Sequence, residues 1–218
     1  MGTGKAKRIP PLATARGEAT KSRIIRAAAE LVAARGVDGT TLEDVMEASR
    51  TSKSQIYHYF ADKEALMCAV VKAQSERVLG FQASCLSGIQ SLEGLRQWRN
   101  DIVRLNRATH GVGGCPIGSL ASALSDRSEE ARDLLAKSFQ RWESHLAKGL
   151  EAMQDRGILS PRAHPGDLAT AIVSALQGGL LLAQTTRSTR PLELALDMAL
   201  GHVSAHSVRA KLLTGVDH

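Results

Sequence analysis

The stretch TLEDVMEASRTSKSQIYHYF, at residues 41–60, contains the clearest structural signal of this chain. They predict two short helices separated by a tight turn. Thr41 and Ser52 can each cap a helix, and Asp44 and Gln55, three residues further on, complete two capping boxes. Two capped helices this close together are typical of a helix-turn-helix.

The second of these helices is predicted over about residues 53–59, and it has only one apolar edge. Ile56 and Phe60 face inward, whereas the other positions carry side chains that can donate hydrogen bonds. Such a helix suits the recognition helix of a DNA-binding protein, whose outer face must stay free for base edges and phosphates. Gln55 is the best candidate base reader, because an amide can pair bidentately with adenine. The predicted DNA-contacting residues are Thr41, Arg50, Ser52, Lys53, Ser54, Gln55, Tyr57, His58 and Lys63.

The run 41–66 resembles the DNA-binding domain of the TetR family of transcriptional regulators. The matching features are the threonine that opens the first helix, the YHYF cluster at 57–60 and the KEAL motif at 63–66. The turn differs, because Arg50 and Thr51 stand where the family usually has a glycine and an aliphatic residue. Arg50 is therefore predicted either to be strained or to direct its guanidinium toward DNA.

Charge is concentrated at the start of the chain. The 218 residues carry a net charge of +6, and the first 26 hold seven basic residues against one acidic residue. A basic run on its own is most simply a solubilising tail, but beside a helix-turn-helix it predicts a polyanionic partner, double-stranded DNA. The domain prediction is a flexible basic arm over 1–17, the helix-turn-helix domain over 18–65, and a helical ligand-binding and dimerisation domain over 66–218.

The remainder of the chain predicts an all-α fold of about nine helices, because no stretch alternates apolar and polar residues with period two. Helices are expected at about 20–35, 62–85, from 92 onward, 128–156, 165–186 and 191–213. The glycine-rich segment 110–119 interrupts them and is predicted as a tight buried turn. Within it, Cys115 is an alternative nucleophile or metal ligand, although the sequence places no partner for it. The GCPIG portion is also similar to a segment of some TetR-family ligand domains.

The sequence favours a cytoplasmic protein with no membrane contact. Three widely spaced cysteines, and no apolar core segment in residues 1–20, indicate free thiols in a reducing compartment. Residues 168–186 carry no charge and are about long enough to span a bilayer. Their polar content and lack of aromatic anchors favour a buried helix at a subunit interface instead.

The TetR resemblance implies a homodimer with an internal pocket for an unidentified small-molecule ligand. The predicted pocket residues are Trp98, Phe139, Trp142 and Gln177, with plain core packing as the alternative. The dimer is predicted to use small and apolar residues of the two last helices in a four-helix interface. These interface residues are Ala171, Ala175, Gly178, Leu182, Leu196, Leu200 and Val203.

The predicted function is a dimeric transcriptional regulator, a repressor that a ligand releases from a palindromic operator. One alternative is a ligand-blind architectural DNA-binding protein. A second is an enzyme with an appended DNA-binding unit, which the sequence disfavours because it offers no paired carboxylates and no Ser-His-Asp arrangement. No cofactor and no catalytic residue is predicted. His202 and His206 are four residues apart and could form a metal pair, but no third ligand lies near them in the sequence, so no metal site is predicted.

Overall fold

The computed structural model describes residues 15–86 and 88–208, and these form nine α-helices. The predicted arm over 1–17 therefore lies outside the described residues, apart from its last three. The chain divides between Leu66 and Met67 into two compact units. The helices are α1 Ala15–Arg35, α2 Leu42–Ser49, α3 Lys53–Tyr59, α4 Lys63–Leu86, α5 Leu92–Ala108, α6 Pro116–Leu124, α7 Glu129–Asp155, α8 Pro165–Thr186 and α9 Arg190–Ala205.

The first unit is built from α1, α2, α3 and the start of α4. Ile24 of α1, Val45 of α2 and Ile56 of α3 are buried, and Phe60 closes the same core just after α3. The inward positions predicted for α3 are therefore confirmed. Gly36 ends α1 with a φ of +76°, a left-handed conformation that glycine adopts without strain. Asp62 caps α4, as its Oδ1 accepts a hydrogen bond from the Ala65 amide at 2.8 Å.

The second unit packs α8 between α7 and α9. Its core includes Trp98, Trp142 and Leu196, each at most 2% exposed. Gly179 allows α8 and α9 to approach closely, because a Cβ at that position would lie 2.8 Å from the Leu192 Cα. The predicted all-α fold is confirmed for the described residues. Their only β-type pairing is the isolated bridge between Leu159 and Ser207.

Two helix boundaries and one entire helix differ from the prediction. Helix α1 begins at Ala15, five residues before the expected start. Helix α6 was not predicted, because it is only nine residues long and follows directly on the glycine-rich turn; Pro116 occupies its first turn, where the missing amide hydrogen is harmless. Helix α9 ends at Ala205, inside the range predicted for it, and residues 209–213 of that range lie outside the described residues. There the chain leaves the helix to pair with the segment after α7, and the Val208 amide donates to the Ile158 carbonyl at 3.0 Å.

Candidate functional site

The beginning of α2 is fixed by a complete capping box. The Asp44 amide donates to Thr41 Oγ1 at 3.1 Å, and the Thr41 amide donates to Asp44 Oδ2 at 2.9 Å. The Thr41 hydroxyl also donates to Asp44 Oδ2, at 2.6 Å. These hydrogen bonds, together with the nearby Arg35 guanidinium, hold the pKa of Asp44 below its usual value. The capping box predicted for this helix is confirmed.

The beginning of α3 repeats the arrangement. The Gln55 amide donates to Ser52 Oγ at 3.2 Å, and the Ser52 amide donates to Gln55 Oε1 at 2.9 Å. The bounds of α3, Lys53–Tyr59, agree with the predicted range. The side-chain carboxamide of Gln55 therefore already takes part in the cap. In a bidentate contact with adenine, the carboxamide oxygen must either keep its hydrogen bond from the Ser52 amide as well or give it up.

The turn between α2 and α3 is made by Arg50 in the left-handed conformation, with φ 52° and ψ 49°. The Thr51 amide donates to the Met46 carbonyl and the Arg50 amide to the Glu47 carbonyl, which is the Schellman pattern of a helix end. A non-glycine residue in this region is strained by about 1 kcal/mol. Of the two alternatives for Arg50, the structure shows the left-handed, strained backbone, and a contact of its guanidinium with DNA stays a prediction.

The other residues of the turn are buried and mutually bonded. The hydroxyls of Ser49 and Thr51 lie 2.7 Å apart, and the Ser49 hydroxyl also donates to the Val45 carbonyl. Arg23 Nε donates to the Ser49 carbonyl at 2.8 Å, which ties the turn to α1. Because its inner polar groups are satisfied, the turn can hold α2 and α3 at a fixed angle while the Arg50 side chain stays exposed.

The outer face of α3 is polar and exposed. Of the nine predicted DNA-contacting residues, eight are exposed, and Lys63 at the start of α4 is half-buried. Lys53 Nζ lies 6.0 Å from the centre of the Tyr57 ring, a distance at which a cation and an aromatic face attract. His58 packs edge-on against Tyr59 with ring centres 4.8 Å apart. The helix thus presents hydrogen-bond donors and a cation outward, as a helix that enters the major groove requires.

A partly open cavity of about 220 Å³ lies in the second unit between α5, α7 and α8. Trp142 and Asn106 line it, are 2% and 7% exposed, and each has a buried polar atom without a hydrogen-bond partner. These atoms are the Trp142 indole Nε1 and the Asn106 carboxamide oxygen. Gln82 also lines the cavity, and its Oε1 accepts a hydrogen bond from Trp98 Nε1 at 3.0 Å.

A second cavity, of about 460 Å³, lies between α6 and α8. Cys115, Gly118 and Gln177 line it, and Gln177 Nε2 is buried without a partner. Cys115 caps the N-terminus of α6, since its sulfur accepts a hydrogen bond from the Gly118 amide at 3.5 Å. Gly118 packs against the Gln177 side chain, because a Cβ there would lie 2.5 Å from Gln177 Oε1 and would make the glutamine side chain move.

The four predicted pocket residues thus fall in different places. Trp142 lines the smaller cavity and Gln177 lines the larger one. Trp98 is buried and hydrogen-bonded to Gln82, and Phe139 is half-buried and lines neither cavity. Asn106 was missed. Its signal was present, because it continues the apolar stripe of α5 as a polar residue.

The outer face of α8 and α9 is apolar. Leu181 is 63% exposed and Met198 is 72% exposed, and Leu182 and Leu194 are also exposed. Among the predicted interface residues of α8, Ala171, Gly178 and Leu182 are exposed and Ala175 is half-buried. The α9 residues differ from expectation: the interior of the subunit contains Leu196, Leu200 and Val203.

The orientation of α9 explains this difference. Arg107 and Arg99 of α5 each place a guanidinium nitrogen 2.8 Å from a carboxylate of α9, on Glu193 and Asp197 respectively. The hydrogen bond from Arg107 lowers the pKa of Glu193. With its charged residues directed to α5 and one leucine stripe packed on α8, α9 leaves Leu194 and Met198 exposed. No group of three or more potential metal ligands occurs in the described parts of the chain.

The capped helix pair, its inward apolar edge and its exposed polar face define a helix-turn-helix DNA-binding protein. Comparison with known proteins agrees with this class. Residues 24–70 match the family described as bacterial regulatory proteins, tetR family, and residues 91–198 match the C-terminal domain of LmrA/YxaF-like transcriptional regulators.

Relatives extend the match to most of the chain. An HTH-type transcriptional regulator in the lacX 3′ region of Lactococcus lactis subsp. lactis is 30% identical over 82% of this chain and 90% of that protein. The HTH-type transcriptional regulator LmrA of Bacillus subtilis is 26% identical over 79% of this chain and 90% of its own length. A TetR-family regulator from Cytophaga hutchinsonii shares the fold, with a TM-score of 0.79 at 18% identity over 89% of this chain and 98% of the other.

The chain belongs to the TetR family of transcriptional regulators. It is therefore a DNA-binding regulator and not an enzyme.

Proposed function

We propose that this protein is a homodimeric repressor that binds a palindromic operator through α3 of each subunit and is released from it by a small molecule. The observation that carries the proposal is the exposed polar face of α3, a helix held in place by capping and by its buried apolar edge. Relatives named as HTH-type transcriptional repressors support repression: DhaR of Mycobacterium sp. is 24% identical and NemR of Escherichia coli is 26% identical.

Each exposed residue of the helix-turn-helix has a distinct proposed task. Lys53 and Lys63 neutralise phosphates, and Tyr57 and His58 contact phosphates or base edges. Gln55 reads a base with the amide group that also caps α3. Arg50 extends the basic surface at the turn, while Thr41, Ser52 and Ser54 lie where the DNA backbone passes.

A dimer is proposed because a single recognition helix reads too few base pairs, and two-fold symmetry doubles the site. The outer face of α8 and α9, with Leu181, Leu182, Leu194 and Met198, supplies the apolar area. Ala171, Ala175 and Gly178 allow a partner helix to approach closely. Helix α8 is by length and composition able to cross a membrane, but only part of it is buried within the subunit. Burial against a second copy in the cytoplasm explains its apolar exposed residues.

The cavity beside Trp142 supports regulation by a ligand rather than ligand-blind DNA packaging. Helix α4 begins in the first unit and continues into the second, so it links the cavity-bearing unit to the DNA-binding one. A ligand releases DNA only to the extent that it binds the released conformation more tightly. A change in the separation of the two recognition helices is sufficient, because half-sites lie about 34–36 Å apart on DNA.

The test is selection of bound sequences from random duplex DNA, followed by titration of the selected site. We expect an inverted repeat with half-sites about one helical turn apart. Lys53→Ala should weaken binding to all sequences alike and reduce the salt dependence by about one counterion. Recovery of sequences without an inverted repeat would instead favour an architectural DNA-binding protein.

A further inference from the structure

Two residues that line the cavity beside Trp142 each have a polar group that the protein leaves unsatisfied. Trp142 Nε1 is a hydrogen-bond donor, the Asn106 carboxamide oxygen is an acceptor, and each is buried without a partner. Buried polar groups are nearly always paired, because an unpaired one destabilises the fold. Two such groups on residues that line one cavity, one donor and one acceptor, indicate a missing partner that supplies both complements.

The surroundings of these two groups are uncharged. The described residues that line the cavity include no ionisable side chain, and most are apolar, such as Ile102, Leu176 and Leu180. An ion held against the buried part of the lining would lose part of its hydration without gaining a counter-ion, which opposes binding. The cavity therefore selects against carboxylates, phosphates and ammonium groups.

The volume within the walls is large enough for a small aromatic molecule. At about 220 Å³ the cavity exceeds the roughly 150 Å³ of an apolar cavity that holds benzene. Ordered water is the competing occupant, since water can also satisfy a donor and an acceptor. Water, however, leaves the apolar side chains of the lining in contact with solvent. A molecule with an apolar body and one polar end complements both the apolar and the polar parts of the lining.

We propose that this cavity binds an uncharged small molecule whose apolar body fills the space between α5, α7 and α8, and whose hydroxyl or comparable group accepts from the Trp142 indole and donates to the Asn106 carboxamide. This inference rests on the proposed function, because it names the chemical class of the releasing ligand. Gln82, held by its hydrogen bond from Trp98, forms a fixed polar wall of the same site.

The two tryptophans make a direct test available. A ¹H–¹⁵N spectrum contains two indole signals, from Trp98 and Trp142, and Trp142→Phe assigns them. Four probes that share one ring are added separately to the full chain without DNA: benzyl alcohol, toluene, benzoate and benzylammonium. We expect benzyl alcohol to shift the Trp142 indole proton downfield in a saturable manner, with a much smaller change at Trp98. We expect toluene to bind roughly tenfold more weakly, and the two ions to leave the Trp142 signal in place.

Variants separate the ligand partners from structural polar groups. Asn106→Leu removes one unpaired group at nearly constant side-chain volume, so it should raise the melting temperature of the ligand-free protein. Trp142→Phe removes the other unpaired group but also empties part of the core, so its melting temperature should fall and only its probe affinities are compared. In both variants the affinity for benzyl alcohol should fall to that for toluene. Gln177→Met is the matched control, because it removes an unpaired amide from the neighbouring cavity. It should raise the melting temperature without changing benzyl alcohol affinity.

Several results would overturn the inference. Binding of benzoate or benzylammonium as tight as that of benzyl alcohol would exclude an uncharged class. Equal binding of toluene, or no indole shift with benzyl alcohol, would exclude the two polar partners. A lower melting temperature of Asn106→Leu, together with unchanged probe affinities in both variants, would assign both groups to structural water. Operator affinity is measured on separate samples, so a cavity that binds the probes while operator DNA stays bound contradicts the release mechanism alone.

Discussion

The helix-turn-helix and the cavity of the second unit handle polar groups in opposite ways. Around the turn, Thr41, Ser49, Ser52 and Gln55 all bond to groups within four residues along the chain. In the cavity, Trp142 and Asn106 come from different helices, and each keeps a polar atom unpaired. The first region is complete before DNA arrives, so its outward donors are free for recognition. The second becomes complete only when something fills it.

This contrast explains which functional sites can be predicted from sequence. A DNA-binding surface made of consecutive, locally capped residues can be recognised in a short stretch of sequence. A ligand site made of side chains from several helices can be recognised only in the three-dimensional structure. The same holds for the dimer face, whose exposed residues are decided by how α9 packs on α8 and α5.

The largest expected effect concerns the exposed face of the second unit. Met198→Glu places a charge in the proposed dimer interface of both subunits, where it would be buried without a partner. We expect a loss of about 3 kcal/mol or more in dimer stability, with a corresponding loss of operator affinity. Sedimentation velocity and operator titration measure the two quantities. Phe81→Glu, also an exposed apolar residue, is the control and should leave the dimer intact. A Met198→Glu protein that remains dimeric would place the interface elsewhere.

The next prediction separates the two tasks of Gln55. Ser52→Ala and Gln55→Ala each break the capping box of α3, and each should destabilise the first unit by about 1 kcal/mol. Only Gln55→Ala should also relax base preference, by about 1–3 kcal/mol at one position of each half-site. Thermal melting and titration with single-base operator variants distinguish these effects. If Ser52→Ala relaxes the preference equally, Gln55 acts through the cap and reads no base.

Arg50 offers a test of strain against DNA contact. Arg50→Gly should stabilise the protein by about 1 kcal/mol, because glycine adopts the left-handed conformation without strain, and should weaken DNA binding through the lost cation. Arg187→Gly is a matched control, since Arg187 is also exposed and has a φ of 53° at the end of α8. It should stabilise similarly and leave operator affinity unchanged. A destabilised Arg50→Gly protein with full DNA affinity would contradict both assignments.

The smallest expected effect is the pH dependence of the α2 cap. The folded-state pKa of Asp44 is lowered, chiefly by hydrogen bonds from Thr41, so the unfolded state binds the proton more readily. The resulting stability is present above the unfolded pKa of about 3.8 and is lost as pH falls through the lower, folded value. Asp44→Asn should flatten the acid limb of a melting-temperature profile below about pH 4. Glu43→Gln, on the same turn but outside the capping box, is the control. An unchanged acid limb in Asp44→Asn would show that the cap does not depend on the charge.

Helix boundaries that depend on short-range interactions along the chain were predicted correctly, and those that depend on long-range contacts were not. The start of α2, both bounds of α3 and the caps at Asp62 and Ser128 were predictable, since each depends on residues three or four positions apart. The end of α9 was not. Its helical pattern continues in the sequence, and only the pairing of Ser207 and Val208 with the segment after α7 interrupts it.

The candidate ligand site shows the same division. Trp142 was predictable as an inward aromatic of α7, and its neighbour Asn106 was visible as a polar break in the stripe of α5. That these two residues line one cavity, and that Gln177 lines another, depends on the packing of α8 against α7 and on the close approach of Gly118 to Gln177.

By itself the sequence determined the helix-turn-helix, the all-α fold and the family, because capping boxes and apolar stripes act over one or two helical turns. Only the tertiary structure decided which apolar residues of α9 are buried and which are exposed. A leucine stripe has the same pattern whether it faces the core of its own subunit or a partner. In the fold, the stripe of α9 packs on α8 with close contact at Gly179, and two carboxylates of α9 pair with Arg99 and Arg107 of α5. The unpaired atoms of Trp142 and Asn106 likewise exist only in the fold, since burial alone removes the water that would otherwise satisfy them.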